Sequence, residues 1–280
     1  GLYRIRVYKP RFRKLFFNRK GAVNGDPFAM RKMVADRHGQ LWAMVENDDA
    51  LWKADLTTGH ESRIFKPVDK AAALAQNASG QILFQKRFLY QIDPLTYKIV
   101  KKDPIRMDTT VASSSWVIHE DKYGKIWFDC QNERELRYSS HAGKFTVLKN
   151  WAGEHVHAFA YQFLENQTDT AWVVTSAGLF TLNIRTGQVL RRYWHGGQGQ
   201  YHLPYENINH ALRATDGSFW LATAGEGLVR WHPQKGLLAR FTLADGLPNN
   251  TLYAIYEDAG GNFWLSTDNG IAMFNPLTKQ

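Results

Sequence analysis

The pattern that decides the fold lies in residues 252–274, LYAIYEDAGGNFWLSTDNGIAMF. Apolar and polar residues alternate up to Asp258, a Gly-Gly-Asn turn follows, and Phe-Trp-Leu leads through an Asp-Asn-Gly turn into Ile-Ala-Met-Phe. Short runs with a period of two, separated by Asp, Asn and Gly, are typical of antiparallel hairpins. The stretch is therefore predicted to form three consecutive strands.

The same pattern recurs through the chain at a nearly constant spacing. In most copies a turn containing Asp or Asn and Gly precedes a short apolar run, and a large apolar residue occupies the same place in each run. These residues are Trp42, Leu83, Trp127, Trp172, Trp220 and Trp264, which are 41, 44, 45, 48 and 44 residues apart. Repeats of this length with four strands each are typical of β-propeller blades. Each Trp is therefore interpreted as a buried filler of the wedge between neighbouring sheets.

The sequence predicts an all-β fold, with a single β-propeller domain over residues 1–280 and about seven blades of four antiparallel strands. Six units carry the Trp-type marker, and the repeats start near residues 29, 72, 113, 156, 207 and 250. Residues 1–17 match residues 227–242, the third and fourth strands of a unit, so residues 1–20 are predicted to be a partial blade.

Two closures of the ring remain open at this point. The N-terminal strands could complete the last blade and give six blades, or they could be half of a seventh blade whose first two strands lie upstream. The second closure is favoured because a duplicated third strand has no place in a six-bladed ring. The chain is accordingly expected to be a fragment of a larger protein.

The net charge of +9 is concentrated at one end of the chain. Residues 1–20 hold eight Lys and Arg and no acidic residue, which leaves +1 for the rest. We interpret this run as the solvated face of a strand pair, with a patch for anionic sugars or membrane headgroups as the alternative. No nucleic-acid partner is expected, because no nucleic-acid-binding motif accompanies the charge. The single cysteine, Cys130, excludes an internal disulfide and a Cys-based zinc site.

The last repeats resemble the two-component regulator propeller family. The resemblance rests on Asp245-Gly-Leu-Pro-Asn-Asn250, Gly261-Asn-Phe-Trp-Leu-Ser-Thr267 and Gly270-Ile-Ala-Met-Phe-Asn-Pro276, with a second good copy in Thr215-Asp-Gly-Ser-Phe-Trp-Leu-Ala-Thr223. The units at 72–101 and 155–193 depart from the motif and rest on spacing alone.

This resemblance implies a periplasmic, extracytoplasmic sensor of a bacterial membrane receptor, binding a small molecule or an oligosaccharide. It implies partners within the same polypeptide: an immunoglobulin-like domain, a transmembrane region, and a histidine kinase, hybrid kinase or diguanylate cyclase region. It also implies that this segment is not an enzyme and needs no cofactor. Whether the chain forms a homodimer is left open by the resemblance.

The ligand is expected on the propeller face that carries two kinds of connection: the loops from one unit to the next, and the turns between second and third strands. The longest such loops are residues 103–116, 150–157 and 194–207. Exposed aromatic rings suit stacking on sugars, while polar groups bind hydroxyls. The predicted binding residues are Trp116, Trp151, His155, His157, Trp194, Tyr201, His202 and Tyr205 from the loops, with Arg87 and Arg134 from the turns. Alternatively, the aromatic side chains only pack the loops onto the blades.

The sequence was also searched for metal-binding and catalytic patterns. His155 and His157 are two residues apart and would point the same way on a strand, as a metal pair could. No third ligand is identifiable by spacing, so no metal site is predicted. No nucleophile triad, phosphate loop or paired-carboxylate motif stands out, and no catalytic residue is assigned.

Two alternative functions remain. One is a propeller lyase acting on polysaccharide or streptogramin-like substrates, with His155 or His202 as the base, and the other is a protein-binding scaffold.

Overall fold

The computed structural model describes residues 30–45, 51–55, 58, 60–65, 73–85, 88–104, 118–130, 135–139, 145–149, 157–166, 168–199, 202–258 and 260–278. Within these ranges the regular structure is almost entirely β-strand, with a 3-10 turn at Leu243–Asp245. Consecutive strands pair antiparallel into six sheets, numbered here in chain order.

The first three sheets contain four strands each. Sheet one comprises β1 (Met30–Ala35), β2 (Gln40–Val45), β3 (Leu51–Asp55) and β4 (Glu61–Phe65). Sheet two comprises β5 (Ala73–Gln76), β6 (Ile82–Gln85), β7 (Phe88–Ile92) and β8 (Ile99–Pro104). Sheet three comprises β9 (Ile118–Glu120), β10 (Ile126–Cys130), β11 (Glu135–Ser139) and β12 (Phe145–Val147).

The last three sheets follow the same order, and sheet six has three strands within the described residues. Sheet four comprises β13 (Ala160–Glu165), β14 (Thr170–Thr175), β15 (Gly178–Asn183) and β16 (Gln188–Tyr193). Sheet five comprises β17 (Ile208–Arg213), β18 (Phe219–Thr223), β19 (Leu228–His232) and β20 (Gly236–Phe241). Sheet six comprises β21 (Leu252–Glu257), β22 (Phe263–Thr267) and β23 (Gly270–Phe274).

This arrangement confirms the all-β propeller with four-stranded antiparallel blades. About seven blades were expected, whereas the described part of the chain forms six sheets. The predicted partial blade at residues 1–20 lies outside the described residues. First strands contact one another between sheets one and two, two and three, four and five, and five and six, which places them on the inner side of the propeller.

Apolar clusters fill the spaces between successive sheets. One cluster joins each successive pair, from sheets one and two through to sheets five and six. Trp42 and Trp127 are fully buried in these clusters, and Trp172 and Trp220 are 8% and 4% exposed, so the prediction that they fill the wedge is confirmed. Trp264 differs from the prediction, with 36% of its surface exposed, because its side of sheet six meets no further described sheet.

A hydrogen bond between side chains explains why the Asp turn and the Trp recur together. The Trp42 indole N–H donates to the Asp36 carboxylate at 2.7 Å, and Trp127 donates to Asp121 at the same distance. The same carboxylate accepts backbone N–H groups of its own turn, as Asp121 does from residues 123 and 125. One acidic residue therefore closes the turn and orients the buried ring, which fixes the six-residue spacing between them.

Candidate functional site

Two kinds of connection meet on one face of the propeller, called the loop face below. In sheets four, five and six, backbone hydrogen bonds join the turn between the second and third strands to the segment that precedes the first strand, as in Ser176 to Phe159 and Ala224 to Asn207. The described parts of the loop face are residues 157–159, 176–177, 194–199, 202–207, 224–227, 242–251 and 268–269. The expected pairing of loops and turns on one face is therefore present where sheets four, five and six meet.

The connection from sheet four to sheet five is a compact loop. The Trp194 carbonyl accepts the backbone N–H of Gly197 at 2.9 Å and of Leu203 at 3.1 Å. Leu203 is fully buried, and the Trp231 indole N–H donates to the His202 carbonyl at 3.2 Å. These contacts anchor the described parts of the loop, residues 194–199 and 202–207, to the two sheets beneath.

Two aromatic rings of this face are each covered by an arginine. The Arg192 guanidinium lies 5.1 Å from the ring centre of Trp194, and its Nε–H donates to the Ala177 carbonyl at 3.1 Å. Arg240 lies 5.2 Å from the ring centre of Tyr205. Both rings are half-buried. Cation–π contacts of this kind restrain the ring that the arginine covers.

Arg240 has a second partner on the same face. It forms an ion pair with Glu226, in the turn between β18 and β19, and donates to the backbone carbonyl of the same residue at 2.9 Å. The arginine therefore bridges that turn and the Tyr205 ring. Both charged side chains are about two-fifths exposed, so the pair orients polar groups toward solvent more than it stabilises the fold.

His195 and His202 lie beside these rings, with their ring centres 5.8 Å apart. His202 Nδ1 lies 3.1 Å from the His195 carbonyl, and His195 Nδ1 lies 3.0 Å from the Pro204 carbonyl. A carbonyl oxygen only accepts, so Nδ1 carries the hydrogen in both rings. In this tautomer Nε2 is the acceptor of each ring, and both side chains are exposed.

The structure brings three predicted residues together, Trp194, His202 and Tyr205. His157 is also on the loop face and exposed, two residues before Phe159, which bonds to the turn of sheet four. The other predicted residues lie outside the described ranges: Arg87, Trp116, Arg134, Trp151, His155 and Tyr201. Within the described ranges there is no group of three or more His, Cys, Asp or Glu side chains arranged to hold a metal ion.

Sequence reasoning missed a set of residues on the inner strands. In sheets four, five and six the pairing of the first and second strands skips one residue, which places Tyr161, Asn209 and Tyr253 at β-bulges. A bulge redirects the side chain of the extra residue. Tyr253 donates to Asp268 on the loop face, and Asn209 donates to the Leu252 carbonyl at 2.8 Å. The only signal in the sequence is a local break in the alternation of these strands.

Tyr161 is the more buried of the two bulge tyrosines. Burial raises the pKa of its phenol, and the negative charge of Asp129 raises this pKa further, while a hydrogen bond with Ser176 acts in the opposite direction. Asp129 is itself 1% exposed near the end of β10. A polar cluster thus lies between sheets three and four, on the inner side of the loop face.

Comparison with known proteins supports both the repeat and the fold. Residues 246–269 match the family described as two component regulator propeller. No curated protein matches the chain. No helix in the described part of the chain is long and apolar enough to cross a membrane.

Three solved structures share the architecture. The extracellular domain of a protein described as a hybrid two component system from B. thetaiotaomicron is 16% identical over 90% of this chain and 38% of that one, with a TM-score of 0.62. PorZ, a bacterial surface component of the type-IX secretion system of Porphyromonas gingivalis, is 15% identical over 90% and 40%, with a TM-score of 0.66. Virginiamycin B lyase from Staphylococcus aureus is 14% identical over 86% and 82%, with a TM-score of 0.62.

These identities establish a common fold and do not by themselves assign an activity. The chain spans less than half of the length of the first two proteins. The repeat at residues 246–269 agrees with the motifs singled out in the sequence, and the sheets that precede it have the propeller architecture that those motifs predict. The chain is therefore a β-propeller in which residues 246–269 form a two component regulator propeller repeat.

Proposed function

We propose that this chain is the ligand-sensing propeller of a bacterial two-component receptor, of the hybrid histidine kinase type or a related one. It binds a small molecule or an oligosaccharide on the loop face of sheets four and five. The observation that carries the proposal is the pair of arginine-backed rings, Trp194 and Tyr205, with two histidine acceptors beside them.

These groups suit a polyhydroxylated ligand. The solvent-accessible part of an aromatic ring can stack on the apolar C–H face of a sugar, and the arginine beside it limits the entropy lost when the ring is immobilised. The Nε2 atoms of His195 and His202 can accept hydrogen bonds from hydroxyl groups. Glu226 and Arg240 add an acceptor and a donor at the rim. The site therefore combines stacking surface with polar groups in fixed positions, as small-molecule sites commonly do.

In the proposed receptor this segment lies outside the cytoplasm, in the periplasm, and carries out no catalysis. An immunoglobulin-like region, a membrane span and a kinase or cyclase of the same polypeptide transmit the signal. A ligand can shift the receptor between two states only by as much as its affinity differs between them. The rigid loop face is suited to this task, because small displacements between sheets four and five change the spacing of its binding groups.

Isothermal titration calorimetry with glycan fragments, chosen from a thermal-shift screen, tests the proposal. Trp194→Ala should weaken binding about tenfold, equivalent to ~1.4 kcal/mol, with the thermal midpoint of the free protein nearly unchanged. Tyr97→Ala is the matched control, since Tyr97 is a 42% exposed aromatic residue on the opposite face. A large loss of stability in Trp194→Ala with unchanged affinity would assign this ring to packing and refute the proposal.

A propeller lyase is the second candidate, favoured by the similarity to virginiamycin B lyase over 82% of that enzyme. The exposed Nε2 of His202, in the tautomer that can accept a proton, is the base that such a reaction needs. Incubation with a streptogramin B and with uronate-containing polysaccharides distinguishes the two functions. Elimination that disappears in His202→Ala would establish the lyase, and no elimination by the native chain would exclude it for these substrates.

A further inference from the structure

The two arginines of the loop face occupy equivalent places in sheets four and five. Arg192 and Arg240 are each the residue before the last in their outer strand, β16 and β20. Each donates its Nε–H to a backbone carbonyl in the turn between the second and third strands of its own sheet. The acceptor is Ala177 for Arg192, at 3.1 Å, and Glu226 for Arg240, at 2.9 Å. The two turns therefore hold the two guanidinium groups in the same way.

The two arginines differ in their counter-charge. The Glu226 carboxylate forms an ion pair with Arg240, whereas Ala177 places only a methyl group at the equivalent position. Arg192 has no acidic side chain as a partner in the part of the chain that the structure describes. Arg192 is also partly buried, while Arg240 is exposed. Because burial raises the cost of an uncompensated charge, the arginine in greater need of a counter-charge is the one without it.

The Arg192 guanidinium is held ready for a second partner. It lies 5.6 Å from the ring centre of Phe180 and 5.1 Å from that of Trp194, and its Nε–H is taken by the Ala177 carbonyl. The N–H groups of the two Nη atoms have no acceptor among the described residues. A planar fork of this kind matches the two oxygens of a carboxylate or sulfate group.

The acidic side chains described on the loop face of sheets four and five already have other partners. The Glu226 carboxylate is paired with Arg240, and the Glu206 carboxylate accepts the backbone N–H of His195 at 3.1 Å. Neither of them compensates Arg192. An oxyanion from outside the chain would supply the missing charge and accept the unused N–H groups.

We propose that Arg192 binds an oxyanion of the ligand, so that the ligand is an acidic saccharide carrying a carboxylate or a sulfate group. This inference rests on the proposed function, because Arg192 covers the Trp194 ring on which the sugar stacks. The neighbouring histidines then accept hydroxyl groups of the same ligand. Arg192 thereby determines specificity for charge, whereas the aromatic rings bind acidic and neutral sugars alike.

Calorimetry with matched ligand pairs tests the proposal on the full chain. One pair is tetragalacturonate and its methyl ester, and the other is a sulfated galactan fragment and its desulfated form. The acidic member of at least one pair should bind about tenfold tighter than its neutral match, the ratio expected for charge-assisted hydrogen bonds. Arg192→Gln should abolish this ratio. A role in packing alone would instead weaken both members of a pair equally.

A second variant tests the missing counter-charge directly. Ala177→Glu places a carboxylate where Glu226 stands in sheet five, so it should pair with Arg192 and also abolish the ratio. Its thermal midpoint should not fall, because the added charge gains a partner. Arg191→Gln is the matched control: it removes the same charge from the next residue of β16, which is exposed and points to the other side of the strand. The ratio should persist in this control.

Each outcome has a definite meaning. A ratio seen only with galacturonate or only with the sulfated galactan would support the proposal and identify the oxyanion. A ratio that survives in Arg192→Gln would overturn it. Binding without preference for the acidic member would overturn it while leaving the proposed function in place, whereas no binding of any member would overturn both. If Ala177→Glu does not fold, Arg192→Gln and Arg191→Gln supply the comparison.

Discussion

The hydrogen bond between Trp127 and Asp121 allows a sharp test of how a blade is held together. The indole N–H donates to one carboxylate oxygen at 2.7 Å, and the other oxygen accepts the backbone N–H groups of Tyr123 and Lys125. Trp127 is fully buried and Asp121 is 2% exposed. Trp127→Phe keeps an aromatic ring in place and removes the donor.

The expected cost follows from burial and charge. A hydrogen bond to a charged group contributes about 1.5–3 kcal/mol, and this one is shielded from water that could replace it. Trp220→Phe is the control, since Ala214 stands where Asp121 stands and provides no carboxylate for the indole. Trp127→Phe should therefore lower the free energy of unfolding by about 1.5–3 kcal/mol more than Trp220→Phe does.

A double-mutant cycle isolates the bond. In Asp121→Asn the amide oxygen still accepts the backbone N–H groups of the turn. The amide NH2 group faces the Trp127 indole N–H, and because both are donors only the side-chain hydrogen bond is lost. Urea denaturation of the native protein, Asp121→Asn, Trp127→Phe and the double variant should give a coupling energy of about 1.5–3 kcal/mol. Additivity within ~0.5 kcal/mol would refute the reasoning.

Three further predictions concern the last two sheets. Trp220→Ala should destabilise the protein by about 3–5 kcal/mol in urea denaturation, and a nearly neutral result would contradict the assignment of this ring to the wedge. Gly227 has a φ of +83° and a Cβ there would lie 2.0 Å from a carbonyl oxygen of β20, whereas Gly225, at +102°, has open space. Gly225→Ala should lower the free energy of unfolding by ~1–2 kcal/mol, the strain of a left-handed backbone at a non-glycine residue, and Gly227→Ala should lower it by more. Equal melting temperatures of the two variants would contradict this. Hydrogen bonds from Ser218 lower the pKa of Asp216 from 3.8 to about 2. The stability that the ionised Asp216 gives the folded protein is therefore present above pH 3.8 and is lost as the pH falls through 2. Asp216→Asn should flatten the decline of the melting temperature over that window, and parallel pH profiles in the two proteins would disprove the linkage.

The sequence predicted the elements of this fold well because each repeat carries its own local chemistry. The turn residue Asp121 and the ring of Trp127 lie six positions apart in one hairpin, so their partnership is encoded within a single unit. The candidate site was predicted in part. Trp194, His202 and Tyr205 were found because they lie in an unusually long connection between repeats.

The partners of these side chains could not be found in the same way. Arg192 and Arg240 lie in or beside ordinary outer strands, and nothing in their local sequence distinguishes them from solvated arginines. They cover Trp194 and Tyr205 because of how β16 and β20 end at the loop face. The bulge at Tyr161 depends similarly on the pairing of two strands.

The period, the hairpins, the propeller class and the aromatic residues that mark each blade can all be derived from the amino-acid sequence. Which of these aromatic residues are buried depends on how the sheets pack. Trp220 and Trp264 occupy the same place in nearly identical repeats, yet one is 4% and the other 36% exposed. The difference arises because a strand directs its side chains by local geometry, whereas burial depends on the sheet that packs against it.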